Sequence, residues 1–195
     1  MKAQYPLTYG YLKRFEPVLL RRSGYVQLRE GQPFYILSNT GEWLYSLWKV
    51  GWKRMGTEME AAVLSEVDDP LVGKKPLMHK ETVVYVACES ALEAHYLCAA
   101  LNSTIVNFTA KSYSVGKSFG SPHLLEQVRI PRFDAANPLH LRLAELLQQA
   151  HELAAARDEA GLTAVEAQVD DAVAELWGIG DKELQAIRRS LEKLE

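Results

Sequence analysis

The densest run of cationic and aromatic side chains in this 195-residue chain is Trp48-Lys49-Val-Gly-Trp52-Lys53-Arg54-Met55. Ammonium and guanidinium groups neutralise phosphate, indole faces stack, and a guanidinium can donate bidentately to guanine in the major groove. The same pattern suits a core strand whose indoles are buried and whose cations are solvated. Two further clusters stand apart in sequence. Lys74-Lys75 with His79-Lys80 is expected in a loop just ahead of a strand. Lys111-Ser112-Tyr113 through Lys117-Ser118 to Ser121 mixes cations, hydroxyls and glycines, a composition suited to phosphate-backbone contacts.

Other chemistries find little support. Gly116-Lys117-Ser118 lacks the glycine that a phosphate-binding loop needs upstream, where Ala110-Lys111 stands. The five histidines, at 79, 95, 123, 140 and 151, lack the spacing of a helical metal pair. His95 is expected to pack beside a helix, and His140 and His151 to decorate the tail. No nucleophile-elbow sequence surrounds any serine. Asp68-Asp69 before Pro70 reads as a turn, and Asp170-Asp171 as a solvated helix face. Cys88 and Cys98 alone exclude a disulfide framework and a cysteine zinc site.

The charge is divided along the chain. Residues 1–133 carry 16 Lys+Arg against 12 Asp+Glu, a net of +4, whereas residues 134–195 carry 6 against 13, a net of −7. All nine tyrosines precede residue 114, and Trp177 is the only aromatic after residue 134. A basic module that meets phosphate, residues 1–133, is therefore expected to precede a tail, residues 134–195, that packs against it. No apolar run approaches the ~20 residues of a membrane span, and Met1–Gly10 has no signal-type apolar core, so a cytoplasmic, non-membrane protein is expected.

The elements that would position these residues are partly legible. Tyr25–Gln27 and Pro33–Leu37 read as short strands about an Arg29–Gln32 turn. Trp43–Trp52 is open between helix and strand, and Thr82–Cys88 reads as a buried strand. Ser90 and Glu93 form a capping box that opens a helix running toward Phe108 across a sheet. In the tail, Asn137-Pro138 starts one helix and a Thr163/Glu166 box a second. Gly178 and Gly180 end that second helix, and Asp181 caps a third carrying Leu184, Ile187, Leu191 and Leu194. The expected class is α+β, a small mixed sheet with packed helices followed by a C-terminal helical hairpin or bundle.

Four stretches resemble the C-terminal specificity (target-recognition) domain of TaqI-like adenine-specific DNA methyltransferases and fused restriction–modification enzymes. Lys49-Val-Gly-Trp-Lys-Arg-Met55 is similar to that domain's Lys-Val/Ile-x-Trp-Arg segment. Glu93 to Ser103 resembles its tyrosine-leucine helix ending in Leu-Asn-Ser. Ser112–Gly120 with Val128-Arg-Ile-Pro131 resembles its glycine-containing loop and closing Ile/Leu-Pro step. Val169 to Gly180 resembles its common ending, with Trp177 in place of the usual tyrosine.

The resemblance implies a recognition piece without catalysis, because the Asn-Pro-Pro-Tyr/Phe motif and a glycine-rich S-adenosylmethionine loop have no counterparts here. That cofactor would belong to a methyltransferase partner, which flips the target adenine while this domain fixes register on double-stranded DNA. The implied contacts are Lys74, Lys75, His79, Lys80, Lys111 and Lys117 to phosphates. Trp48, Lys49, Trp52, Lys53, Arg54, Ser112, Tyr113 and Ser118 would lie closer to the bases. Three rival readings stand. One is a helix-turn-helix over Thr163–Leu194, with Lys182, Gln185, Arg188, Arg189 and Lys193 on its second helix, disfavoured by the acidic first helix. Another is a module that docks a methyltransferase without touching DNA. The third, a small hydrolase, has only unplaced Ser, His and Asp behind it.

Overall fold

The computed structural model describes residues 1–28, 31–37, 40–79, 82–113 and 126–193. The chain divides into two compact units, Met1–Trp43 and Leu44–Glu195, so the helical tail shares a unit with the sheet. Among the described residues no helix is long and apolar enough to cross a membrane.

In the first unit three short helices follow one another, α1 (Pro6–Lys13), α2 (Glu16–Leu19) and α3 (Ser23–Leu28). Tyr25–Gln27, expected as a strand, therefore lies within α3, and Pro33–Leu37 forms no strand. The reason is a change of hydrogen-bond donor. The Arg22 guanidinium donates to the Phe34 and Ile36 carbonyls, each at 2.9 Å, and the Tyr25 hydroxyl to the Gln32 carbonyl at 2.5 Å. Carbonyls that a ladder would otherwise satisfy are thus taken by side chains. Phe34 is buried, with the Tyr9 and Tyr35 rings edge-on to it at 5.8 and 5.1 Å.

The second unit is built on β1 (Trp48–Lys53), the central strand of a sheet ordered β2–β1–β5, where β2 is Ala61–Leu64 and β5 is Val83–Cys88. A 3-10 turn, Glu42–Tyr45, precedes β1, which settles the open Trp43–Trp52 segment. Every ladder among the described residues is antiparallel, where a mixed sheet was expected. Expected as a buried strand, β5 is mostly half-buried, as an antiparallel edge strand should be. Gly51 admits Leu64 at close range, since a Cβ there would stand 2.5 Å from Leu64 Cδ1. A hairpin of β3 (Glu66–Asp69) and β4 (Gly73–Pro76) leaves the end of β2, so Lys74 and Lys75 sit on a strand and not in a loop. The Asp69 carboxylate accepts the Leu71 and Val72 N–H groups, at 2.8 and 3.0 Å, and holds the expected turn.

The helix expected to reach Phe108 is broken at Ser103 into α4 (Ala91–Asn102) and α5 (Thr104–Tyr113). The capping box is present: Glu93 N–H donates to Ser90 Oγ at 3.1 Å, while the Glu93 carboxylate takes Glu89 N–H at 2.6 Å. Ala94, Cys98 and Leu101 are buried on one face of α4 and Tyr96 and Ala100 on the other. It packs against the sheet and against α6 (Pro138–Ala156). Two asparagines close the edge of β2. Asn102 Oδ1 accepts Ala61 N–H at 2.7 Å and its Nδ2 donates to Ala61 O at 2.9 Å. Asn107 takes Met59 N–H at 2.9 Å and reaches Met59 O at 3.4 Å. Each amide stands in for a residue of a further strand.

Among the described residues the tail consists of three helices joined by short turns. Asn137 caps α6 through Leu139 N–H at 2.9 Å, and Leu143, Leu146, Leu147 and Ala150 are buried along it. Arg157 takes a left-handed conformation (φ 59°) at its end, and α7 (Glu159–Trp177) follows at once, capped by Asp158. The expected Thr163/Glu166 box is therefore inside the helix, and the Thr163 hydroxyl donates to Glu159 O at 2.9 Å. Gly178 (φ 66°) ends α7. Gly180, not Asp181, is the N-cap of α8 (Asp181–Leu191), with the Glu183 carboxylate accepting its N–H at 2.9 Å.

Two expectations about the tail's polar residues are corrected. His140 is buried, with its ring 4.5 Å from Tyr96 and its Nδ1 accepting Asp134 N–H at 3.0 Å, and His151 is half-buried 5.5 Å from the His95 ring. Asp170 is also buried. It accepts Thr104 N–H at 2.7 Å, the Thr104 hydroxyl at 2.6 Å and Arg188 Nη2 at 3.1 Å, whereas Asp171 stays on the surface. Arg188 is thus engaged within the fold, which removes it from the recognition helix of the helix-turn-helix reading.

Asp170→Ala leaves the first turn of α5 and Arg188 short of an acceptor, and urea unfolding should show a loss of about 3 kcal/mol. A loss well under 1 kcal/mol would show that this carboxylate is not a joint. A second expectation concerns pH. Burial, and then the neighbouring His95, hold the His151 imidazole below its ordinary pKa. The folded chain resists its protonation, so its contribution is complete above the unfolded value of about 6.5 and is lost as pH falls below it. Thermal melts of His151→Gln should therefore decline less than wild type between pH 7 and 5.5. Parallel declines would refute the assignment.

Candidate nucleic-acid interface

Lys49 and Trp52, both expected to face DNA, are buried. Although side chains alternate along β1, Lys49–Trp52 are all buried and the strand opens only at Lys53. The Lys49 ammonium donates to the carbonyls of Ser46 and, at 3.1 Å, Leu77, and clamps the start of β1 to the end of the hairpin. Among the described residues no carboxylate pairs with it, and burial lowers its pKa. Trp48 is half-buried, 6.5 Å from the His95 ring. The Trp52 indole offers no open stacking face, and that of Trp48 is only partly exposed. The Trp48–Arg54 run is thus a core strand over its first five residues, and its last two residues form the exposed end.

Lys53 and Arg54 lie where β1 runs out beside the start of β5, with Lys53 in register with Val83 and Arg54 N–H donating to Thr82 O at 3.0 Å. The connection from β1 to β2 returns past this end. Its Glu60 carboxylate meets the Lys53 ammonium at 2.5 Å, and its Glu58 carboxylate stands 3.6 Å from Lys111 at the far end of α5. The two asparagine amides stitch that same connection to α4 and α5. Lys53 and Arg54 are thereby brought together with Lys111, Ser112 and Tyr113, nearly sixty residues on. Ser112 and Tyr113 belong to the last turn of α5, not to a loop. The Ser112 hydroxyl donates to Phe108 O at 2.7 Å, and Tyr113 is exposed.

Lys74 and Lys75 do not join this group. Leu64 pairs with Lys49, so the hairpin leaves the opposite end of β1, about 17 Å away at ~3.3 Å per residue. Lys74 is opposite Asp68 in the ladder, and Lys75 opposite Val67. His79 is half-buried with its ring 5.3 Å from Tyr85. Desolvation, and then the Lys49 charge, lower its pKa, so it is neutral at pH 7 and no phosphate-binding cation. Lys80, Lys117 and Ser118 lie outside the described residues. Among the described residues no group of three His, Cys, Asp or Glu side chains is placed to hold a metal ion.

The site is close to neutral: Lys53 faces Glu60 and Lys111 faces Glu58, and Arg54 brings the sum to +1. Residue types gave its cations in advance. They gave neither the carboxylates nor the asparagine frame, because both follow from the β1–β2 register. The Leu101-Asn102-Ser103 step held the only sequence signal for that frame. The Lys53–Glu60 pair is solvent-exposed at both ends, 69% and 58%, a setting in which an ion pair is worth about 0–1 kcal/mol. A phosphate oxygen can replace the Glu60 carboxylate there at little cost.

The two lysines of β1 should therefore behave oppositely. Lys49→Ala leaves the carbonyls of the half-buried Ser46 and Leu77 without this donor and a void where the lysine stem is buried, and should lower the thermal melt by several degrees. Lys53→Ala should leave the melt within about one degree of wild type. Equal effects would show that Lys49 is not a structural clamp. Comparison of the chain with models of protein families gives no match, and comparison with curated proteins gives none either.

Proposed function

We propose that this chain is a DNA target-recognition module that works beside an adenine-specific methyltransferase core. The observation that supports it best is the meeting of Lys53 and Arg54 with Lys111, Ser112 and Tyr113 at one open end of the sheet, from distant parts of the sequence. On this reading Lys53, Arg54 and Lys111 contact phosphates of double-stranded DNA and fix register. Arg54 and Tyr113 are long enough to reach base edges and a sugar face. Lys74 and Lys75 add a second foothold some 17 Å or more along the duplex, further than the ~12 Å width of one major groove. No methyl-transfer step falls to this chain. S-adenosylmethionine and the flipped adenine belong to the partner.

The exposed hairpin tip favours a second reading, docking to the methyltransferase without DNA contact. Leu71 is 92% exposed and Val72 61%, between Asp68-Asp69 and Lys74-Lys75, a mixed patch that suits a protein better than a phosphate backbone.

Anisotropy titration with random-sequence duplex at ~50 and ~200 mM salt separates the two. About four phosphate contacts predict a loss of affinity on the order of 100-fold over that range. Lys53→Glu combined with Arg54→Glu should weaken binding at ~50 mM at least tenfold and leave the melt unchanged. Unchanged affinity would remove the interface from this end of the sheet. If no duplex binding appears, with or without the methyltransferase, and Leu71→Asp abolishes association with it, the docking reading holds.

A further inference from the structure

We propose that Glu58 and Glu60 are specificity-determining residues of this interface: they occupy the cations of Lys111 and Lys53 and keep the module's hold on random DNA weak. The inference rests on the DNA-recognition reading above. Its starting point is how firmly the two carboxylates are held in place. Met59 between them is 2% exposed, and its N–H and C=O are both met by the Asn107 amide. Two residues on, Ala61 is met in the same way by Asn102. Glu58 and Glu60 flank the buried Met59 side chain, and their carboxylates lie against Lys111 and Lys53. Their side chains are 47% and 58% exposed, beside lysines 3.6 and 2.5 Å away. Those lysine side chains are themselves 11% and 69% exposed, so Lys53 is the open cation and Lys111 offers only the end of a largely covered stem.

This arrangement has a threshold. A phosphate that reaches Lys53 must displace the Glu60 carboxylate, and one that reaches Lys111 must displace Glu58. A duplex seated in full register presents phosphates to both ammonium groups, and both carboxylates turn out into solvent. A duplex in the wrong register meets one cation and leaves the other carboxylate facing phosphate, which is repulsive. Discrimination of this kind comes from a penalty on the wrong complex as much as from attraction in the right one. The fold does not require the Glu60 charge, because both members of its pair are on the surface, whereas Glu58 also serves a Lys111 side chain that is only 11% exposed. The joints that hold the loop are the asparagine amides and the buried Met59.

Neutral, isosteric substitution tests it. Glu58→Gln with Glu60→Gln should bind random-sequence duplex at ~50 mM salt at least tenfold more tightly than wild type. The salt dependence should steepen by up to two phosphate equivalents, a change in slope of about −1.8. Glu145→Gln with Glu152→Gln, the same change in net charge on the exposed face of α6, should do neither. Adding Lys53→Met to Glu60→Gln should cancel the gain of Glu60→Gln alone, because the carboxylate would then have no cation to mask. Should the double glutamine variant melt early, Glu60→Gln alone carries the test, since both members of its pair are exposed. Wild type that binds, with glutamine variants of identical affinity and salt slope, would overturn the inference and leave the DNA reading standing. Absence of binding by wild type and variants alike at ~50 mM salt would overturn both.

Discussion

The second unit depends on one carboxylate. Asp170, near the middle of α7, receives the first N–H of α5, the Thr104 hydroxyl and the Arg188 guanidinium of α8. A helix that starts directly after a break has orphan N–H groups in its first turn, and α5 starts directly after Ser103. Ser103 Oγ takes Val106 N–H at 3.3 Å, and Asp170 takes Thr104 N–H from 66 residues away. With its first turn pinned to the tail, α5 carries Lys111, its eighth residue, about 10 Å further toward the open end of the sheet. The acidic tail, which on net charge alone looks unsuited to a phosphate-binding protein, thus contributes by fixing a basic helix from behind. Its negative charge is mostly on surface that the core does not use.

The same logic recurs wherever the backbone departs from regular pairing. Arg22 serves carbonyls in the first unit that no strand serves. Lys49 does so between β1 and the hairpin, and Asn102 and Asn107 do so along the edge of β2. These residues also explain what the family resemblance rests on. Tyr96, from the tyrosine-leucine helix, donates its hydroxyl to the carbonyl of Pro131 in the Ile-Pro step, at 3.0 Å. Asn102 and Ser103 of the Leu-Asn-Ser step close the sheet edge and open α5, and Asp170 from the closing motif caps that helix. Lys49 heads the first motif and is a buried clamp. The stretches that carry the resemblance are thus joints of this fold, and the exposed side chains lie between them.

How much of this was legible follows from whether a residue's partner is near or far in sequence. The Ser90 and Asn137 caps and the Gly178 stop are local, since each needs only the next few residues, and each is present. Asp170 read as a solvated residue because its partners are on other elements. His140 read as decoration because Tyr96 and Phe133 cannot be paired with it by spacing. The Thr163/Glu166 pattern fits a capping box and is overruled by an earlier start at Asp158, which the tight reversal at Arg157 imposes. At the candidate interface, Lys53, Arg54, Lys111 and Tyr113 were visible as types. Which of them meet depends on strand register. Lys49 and Trp52, three residues apart and so on opposite faces of β1, are both buried because the strand is central and covered on each face.

On the proposed reading, a nearly neutral surface suits a module that does not search for DNA alone. A domain joined to a catalytic partner binds its flank as an intramolecular step, at an effective concentration set by the connection, so its own affinity need not be high. Strong intrinsic affinity for phosphate would hold the assembly equally well on every sequence, because backbone contacts carry no sequence information. What such a module must supply is the difference between a duplex in register and one out of register. Carboxylates that cancel the cations until several phosphates arrive together lower the shared, non-specific part of the binding energy and leave the register-dependent part. The rigid mounting of that loop, with Met59 in the core and asparagine amides on its backbone, keeps the charges where this difference can be made.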